Sequence, residues 1–384
     1  MKLALLFTCA TGLLSAHNRV DFLTPPQLVP EAIAKEIPCV RPMREGIFNI
    51  SSQDVGEKFV VHCFGHGGCG WTTFLGSVEY AIGLFQERYP SPESAPAIRV
   101  IGAGCMGLCS AIELTRRGYR VAAISTKELY DIPSWNAAGY FAVVSVKISP
   151  EQEEMVREIN FSTFHSYQQI ERGEHPYLSA AATRFIPVYC SADTHSGVED
   201  LEEQGLIPPR EVVDIDFGNG VVHHDYNKFM TYFFDVTTLM QELHREVNRL
   251  GIPVEMQEVQ EFDDLAEVVV FNCGGLGGGD LAHDNKMIPV RGHLLMLSEK
   301  AGTEHMDYMI YTKVKQEGKE EYVYLFPRTS FVIPQNGSLE PANGVLGGSF
   351  IIGADKLPRE DLAELDRVEF KRLLDRNQEF FYGK

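Results

Sequence analysis

Ile98-Arg99-Val100-Ile101-Gly102-Ala103-Gly104-Cys105-Met106-Gly107 is the stretch on which the reading of the fold turns. The β-branched run Ile98–Ile101 predicts a buried strand, Gly102–Gly107 a tight turn, and Met106–Arg117 a helix stopped by Gly118. Tyr119–Ile124 then predicts a second strand, which completes a βαβ unit. In such a unit Gly102 allows the sharp turn, Gly104 lets a pyrophosphate approach the backbone, and Gly107 lets helix and strand pack closely. The first helical amides, at Cys105 and Met106, point toward the phosphates. A lone glycine triplet is weak, but one lying between a strand and a helix of the required lengths predicts dinucleotide binding. One feature departs from the pattern. Where an acid normally takes the ribose hydroxyls, the chain reads Ile124-Ser125-Thr126-Lys127-Glu128, so either a hydroxyl such as Thr126 or Glu128 does that work, or the adenosine end is held differently.

Upstream, the proline-rich stretch between Gln86 and Ala97 reads as a linker. Ahead of it stand two further motifs, Val40-Arg41-Pro42-Met43-Arg44 and Gly65-His66-Gly67-Gly68-Cys69-Gly70-Trp71-Thr72-Thr73. The second lies between a predicted strand, Lys58–Phe64, and a predicted helix, Trp71–Arg88. Its glycines at a helix start form another cradle of backbone donors. Arginine in a proline-stiffened turn suits a carboxylate, because the planar guanidinium can bind both oxygens at once.

Downstream, Asn227–Arg249 shows helical periodicity closed by Gly251. Glu267–Phe271 predicts a short strand running into Asn272-Cys273-Gly274-Gly275. From Arg291 to Ile352 repeated apolar runs separated by Gly, Pro and Asn predict an antiparallel sheet, followed by a helix from Glu360 to Phe381.

The composition is that of a folded protein, with 44% apolar and 23% charged residues in 384. A net charge of -19 repels phosphate backbones and anionic lipid and argues against nucleic acid as a partner. The eight cysteines form no CxxC pair, which predicts free thiols in a reducing compartment and no metal site. That favours the cytoplasm. The alternative is export, since residues 1–16 resemble a weak secretory signal. No run is long enough for a membrane helix. His223-His224-Asp225 reads as a hydrogen-bonded or solvated pair, because adjacent strand residues face opposite ways.

Together these pieces resemble the D-amino-acid oxidase family of FAD enzymes, whose relatives include glycine and sarcosine oxidases. The resemblance is carried by Ile98–Ile124, Asn136-Ala137-Ala138-Gly139, Val268–Gly275, Pro289-Val290-Arg291-Gly292, Tyr324-Leu325-Phe326-Pro327-Arg328, Gly347-Gly348 and the two leader motifs. The order is unusual. In that family the Arg-Pro-x-Arg and Gly-His-Gly-Gly motifs close the sequence, whereas here they open it, so the chain resembles a circular permutant joined through residues 89–97.

The resemblance implies an α/β fold with a Rossmann-like, parallel-sheet FAD-binding domain (residues 45–130 and 223–285) and an antiparallel-sheet substrate domain (131–222, 286–384 and 1–44). It implies that Arg41 and Tyr324 hold the substrate carboxylate and that the Gly68 carbonyl receives the amine. Gly67, Gly70, Trp71, Thr72, Thr126, Asn136, Ala137, Ala138, Gly139 and Gly274 would join Gly102–Gly107 around FAD. The family's second active-site tyrosine falls on Glu320, with Tyr322 as a stand-in. The implied reaction is hydride transfer from a small D-amino acid to flavin N5, with oxygen as the second substrate and keto acid, ammonia and peroxide as products. A glycine or sarcosine-type oxidase, a quinone-linked dehydrogenase and a flavin-binding protein without turnover remain alternatives. A homo-oligomer is compatible with the sequence.

Overall fold

A computed structural model describes residues 18–144 and 147–384. The signal-like residues 1–16 lie outside the described residues. The described residues form two large sheets with helices packed on them and a small two-stranded sheet.

The six-stranded sheet runs in the order Val254–Met256, Val121–Thr126, Ile98–Ile101, Val269–Asn272, Lys58–Phe64, Asn49–Val55. The first five strands are parallel and the last is antiparallel to its neighbour. Its inner strands are buried on both faces, as parallel strands under helices must be, and their β-branched runs reflect it. The helix Cys105–Arg116 packs Leu108, Ala111, Ile112 and Leu114, all fully buried, into a core shared with Phe74 and Phe85 of the helix Gly70–Arg88. Each such side chain contributes about 1.5–3 kcal/mol of burial. Lys58–Phe64 therefore takes a central place in the sheet, although it precedes the βαβ unit in the chain.

The ten-stranded sheet is mixed. Its antiparallel core includes the hairpin Met309–Gln316 and Lys319–Phe326, the strand Val345–Gly347 and the long strand Met287–Leu297. The strands of the expected antiparallel stretch pair antiparallel with one another, and two further contacts of the sheet are parallel, between Met309–Gln316 and Thr183–Cys190 and between Arg19–Phe22 and Glu211–Asp216. The helix Arg359–Tyr382 packs against the strands Met287–Leu297 and Lys319–Phe326.

Two local expectations are overturned. Val40–Arg44 is no turn: it ends the twelve-residue strand Ile33–Arg44, paired antiparallel with Met287–Leu297 so that Arg41 faces Val290. Among the described residues that strand has a single neighbour, and Pro38 and Pro42, which lack an N–H, are tolerated on such an edge. Asn227–Phe234 is no helix either. It completes the strand Val222–Phe234, and the helix Val236–Arg249 starts only after Asp235, whose carboxylate accepts the Thr237 and Thr238 amides at 3.0 and 3.1 Å. That cap sets the boundary.

Candidate active site

The turn after Ile98–Ile101 shows why its glycines are required. Gly102 has φ +99°, and a Cβ there would stand 2.6 Å from the Cys273 carbonyl oxygen. A Cβ on Gly107 would stand 1.9 Å from the Gly102 carbonyl oxygen, so any side chain would drive helix from strand. The Cys105 amide, expected to face phosphate, donates to Ser134 Oγ at 3.0 Å. Met106 opens the same first turn, and its sulfur lies 3.9 Å from Cys63 Sγ.

From this turn a cavity of about 1080 Å³ runs to the large sheet. It is lined by Thr126, Lys127 and Glu128, by Gly102–Met106, Asn136–Gly139 and Gly274, and by Arg41, Gly67–Thr72, Tyr311, Tyr322 and Tyr324. All but one of the expected site residues thus border one space; Gly107 lies beneath it and acts through packing. Glu320, by contrast, is exposed on its strand, while Tyr322 faces the cavity.

The leader and the later chain are fastened together around this space. The Gly67 amide donates to the Pro42 carbonyl at 2.9 Å, which joins the two leader motifs. Trp71 Nε1 donates to the Ser134 carbonyl at 3.0 Å, and Thr72 Oγ1 to the Tyr140 carbonyl at 3.3 Å. Arg328, only 3% exposed, donates to the Trp135 and Ala137 carbonyls at 2.6 and 2.7 Å and so holds Asn136–Gly139 in place. Burial lowers its guanidinium to about 10.

After the strand Val121–Thr126, Thr126 Oγ1 donates to the Glu128 carbonyl at 2.7 Å. Glu128 Oε1 accepts the Leu129 and Tyr130 amides at 2.8 and 2.9 Å. The Tyr130 bond is the main cause that holds this carboxyl below its usual range.

Arg41 is half-buried and donates from Nη1 to the Ser349 carbonyl at 3.1 Å. Its guanidinium lies where a Gly292 side chain would be, 2.5 Å from an added Cβ. Burial pushes the Tyr324 phenol up to about 12, an effect the neighbouring Arg41 opposes, so the phenol keeps its proton at neutral pH. The Tyr324 ring stacks on Phe326 at 4.9 Å, and Tyr311 stacks on Tyr322 at 5.5 Å. His66 stacks on Phe48 at 4.2 Å with Nε2 3.2 Å from Ser77 Oγ, and burial lowers it to about 3. It is neutral and has no carboxylate partner, which suits a wall better than a base.

Sequence reasoning missed Ser134, Tyr140, Tyr311 and Arg328. A signal existed for Tyr311. Glu317-Gly318, with φ of 52° and 76°, forms a two-residue hairpin turn, and counting back from it sets Tyr311 opposite Tyr324.

The residues present fit a bound dinucleotide. Asn136 Oδ1 and His66 Nδ1 belong to cavity-lining residues and are buried without a protein partner, the kind of unpaired polar atom that a bound molecule can satisfy. The cavity also exceeds the ~300–1,000 Å³ of an ordinary small-ligand pocket.

The fold and this space define an α/β protein built to hold a dinucleotide. Residues 98–383 match the model of the FAD dependent oxidoreductase family. That match takes in well over half of the chain, which belongs to this family and uses FAD as its cofactor. Among curated proteins, D-aspartate oxidase 1 of Caenorhabditis elegans is 23% identical over 235 residues, covering 56% of this chain and 64% of the nematode protein. The chain thus spans less than two thirds of that relative's length. Similar solved structures include an L-amino acid deaminase from Proteus vulgaris (12% identity, TM-score 0.40, 66% of this chain and 60% of the other). Iminodiacetate oxidase from Chelativorans sp. BNC1 is another (13% identity, TM-score 0.40, 67% and 72%). Among the described residues no helix is long and apolar enough to cross a membrane.

Proposed function

We propose that this flavoprotein is an oxidase that deaminates a small D-amino acid, with oxygen as acceptor and the keto acid, ammonia and hydrogen peroxide as products. The observation that carries the reading is the convergence of Arg41, Tyr324 and Gly68 at one end of the cavity whose other reaches border on the glycine turn. Arg41 binds the carboxylate with its planar fork, and the protonated Tyr324 donates to the same group. The Gly68 carbonyl takes an amine hydrogen, which orients the Cα–H bond. Bound FAD supplies the two-electron acceptor. Around it we place Gly67, Gly70, Trp71 and Thr72 on one side and Gly102–Gly107, Asn136–Gly139 and Gly274 on the other, with Thr126 or Glu128 at the ribose. No side-chain base is needed, and His66 serves as wall.

The charges in the chamber favour an uncharged substrate side chain. Arg291 borders it but is held by Asp366, and His195 lies 3.2 Å from Glu199, while Val144, Leu294, Phe326, Phe350 and the tyrosines add an uncharged lining. A second carboxylate would find no free cation there among the described residues.

We also read the chain order as a circular permutation. Support comes from the pairing of Lys58–Phe64 beside Val269–Asn272 and from a family match that begins at Ile98. In the division of labour we propose, the six-stranded sheet carries the cofactor and the ten-stranded sheet the substrate.

The test is an anaerobic screen of D- and L-amino acids against FAD-loaded protein. Bleaching of the flavin by neutral D-amino acids, followed by peroxide on admitting air, is expected. No bleaching by any member, or bleaching by L-amino acids alone, overturns the reading.

A further inference from the structure

Behind the arginine end of the cavity lies a line of buried polar contacts that the proposed reaction does not use. The Ser349 carbonyl that accepts Arg41 Nη1 belongs to a residue whose hydroxyl is itself fixed. Ser349 Oγ accepts the His293 backbone N–H at 2.8 Å and lies 2.9 Å from His293 Nδ1. His293 is fully buried, and its Nε2 lies 2.9 Å from Asp366 Oδ1. Asp366 also receives Arg291 Nε and Nη2, one on each oxygen, both at 2.6 Å. Three separate parts of the chain meet here: the strand Met287–Leu297, the turn after Val345–Gly347, and the helix Arg359–Tyr382.

Donor and acceptor capacities fix the protons. Asp366 can only accept, so His293 carries its proton on Nε2 facing it, and the unprotonated Nδ1 of the neutral ring accepts the Ser349 hydroxyl hydrogen. Burial favours this neutral form. The edge of the His293 ring meets Phe370 at 4.9 Å, which leaves the imidazole little room to turn. Asp366 thus sets the tautomer, the tautomer sets the hydroxyl, and the hydroxyl holds the peptide whose carbonyl aims Arg41.

We propose that Asp366, His293 and Ser349 are positioning residues for Arg41, which tune carboxylate affinity without touching the substrate. The proposal rests on the reading of Arg41 as carboxylate anchor. A group that merely holds the fold would alter stability and affect all ligands alike; a device that aims a guanidinium discriminates between a carboxylate and its neutral counterpart.

The experiment titrates FAD-loaded protein with 3-phenylpropionate and with 3-phenylpropionamide, following the flavin absorbance. Melting temperature and the limiting rate of flavin reduction by a substrate are measured alongside. In His293→Leu and Asp366→Asn the acid should bind roughly 10-fold more weakly, the scale of one well-placed charge-assisted hydrogen bond. The amide should stay within about twofold, and the limiting reduction rate likewise. His293→Gln, whose amide can accept from Ser349 and donate to Asp366, should recover most of the acid's affinity. If His293→Leu fails to retain FAD, Asp366→Asn and Ser349→Ala carry the test. Unchanged affinity for the acid in these variants, or equal loss for acid and amide, overturns the proposal. Arg41→Ala separates the two levels: unchanged acid binding there overturns the anchor itself, whereas weakened binding there with no effect of the other variants overturns only the positioning role.

Discussion

Replacing Gly347 by alanine should disable the substrate end of the site from behind. An added Cβ would stand 1.8 Å from Tyr324 Cζ and 1.9 Å from its hydroxyl oxygen. Carbon contacts settle near ~3.5–4.0 Å, so the ring must retreat by about 1.5–2 Å. Tyr324 sits on an inner strand of the large sheet with its ring stacked on Phe326 at 4.9 Å, which leaves the side chain to swing away from Arg41. A hydrogen bond to a charged group contributes about 1.5–3 kcal/mol, so carboxylate affinity should fall roughly 10- to 150-fold. Overpacking adds a stability loss of about 1–3 kcal/mol. Tyr324→Phe provides the comparison, since it removes the hydroxyl and leaves the ring. It should lose similar affinity with little change in melting temperature. Titration of a carboxylate against the flavin absorbance reads both. Full carboxylate affinity in a folded Gly347→Ala protein would refute the reasoning, as would full affinity in Tyr324→Phe.

Three further outcomes follow from the same geometry. Gly107→Ala, whose Cβ would meet the Gly102 carbonyl at 1.9 Å, should cost about 1–3 kcal/mol of stability and yield protein without flavin absorbance; yellow protein of normal melting temperature would contradict it. Arg328→Met leaves the buried Trp135 and Ala137 carbonyls without their donor and should cost about 2–4 kcal/mol, with FAD dissociating faster in a dilution assay. Acid should destabilise the fold through His66, which burial lowers from 6.5 to about 3. Between these values the unfolded chain binds the extra proton, so stability falls as pH drops below 6.5, by about 2 kcal/mol from this residue at pH 5. Urea unfolding at pH 7 and pH 5 should show that difference shrink in His66→Asn, and an undiminished acid loss there would exclude His66 as its source.

The parts of the site that were legible in sequence are those where backbone geometry dictates residue type. Gly102 and Gly107 announce a strand–turn–helix because a side chain at either would strike backbone, and Gly65–Thr73 announces the second helix start for a similar reason. Arg41 and Tyr324 were recognisable from their neighbours, yet Arg41 sits on a strand where a turn was expected. Its two prolines look like turn residues until the strand is seen to lie on a sheet edge. Asn227–Phe234 misled because its last residues are buried on both faces, which removes the alternation that marks a half-exposed strand. The Asp235 cap was the overlooked signal. Ser134, Tyr140 and Arg328 act through backbone carbonyls and amides of distant segments, contacts that no local motif encodes.

We propose that the leader forms one wall of the flavin site, with Arg41 as the carboxylate anchor. Anaerobic titration of FAD-loaded Arg41→Ala with the D-amino acid that best bleaches the parent protein tests it most directly. Losing a partly buried charge partner should weaken binding by at least about 2 kcal/mol, roughly 30-fold, while the flavin stays bound. Bleaching at the parent's substrate concentration would contradict the account.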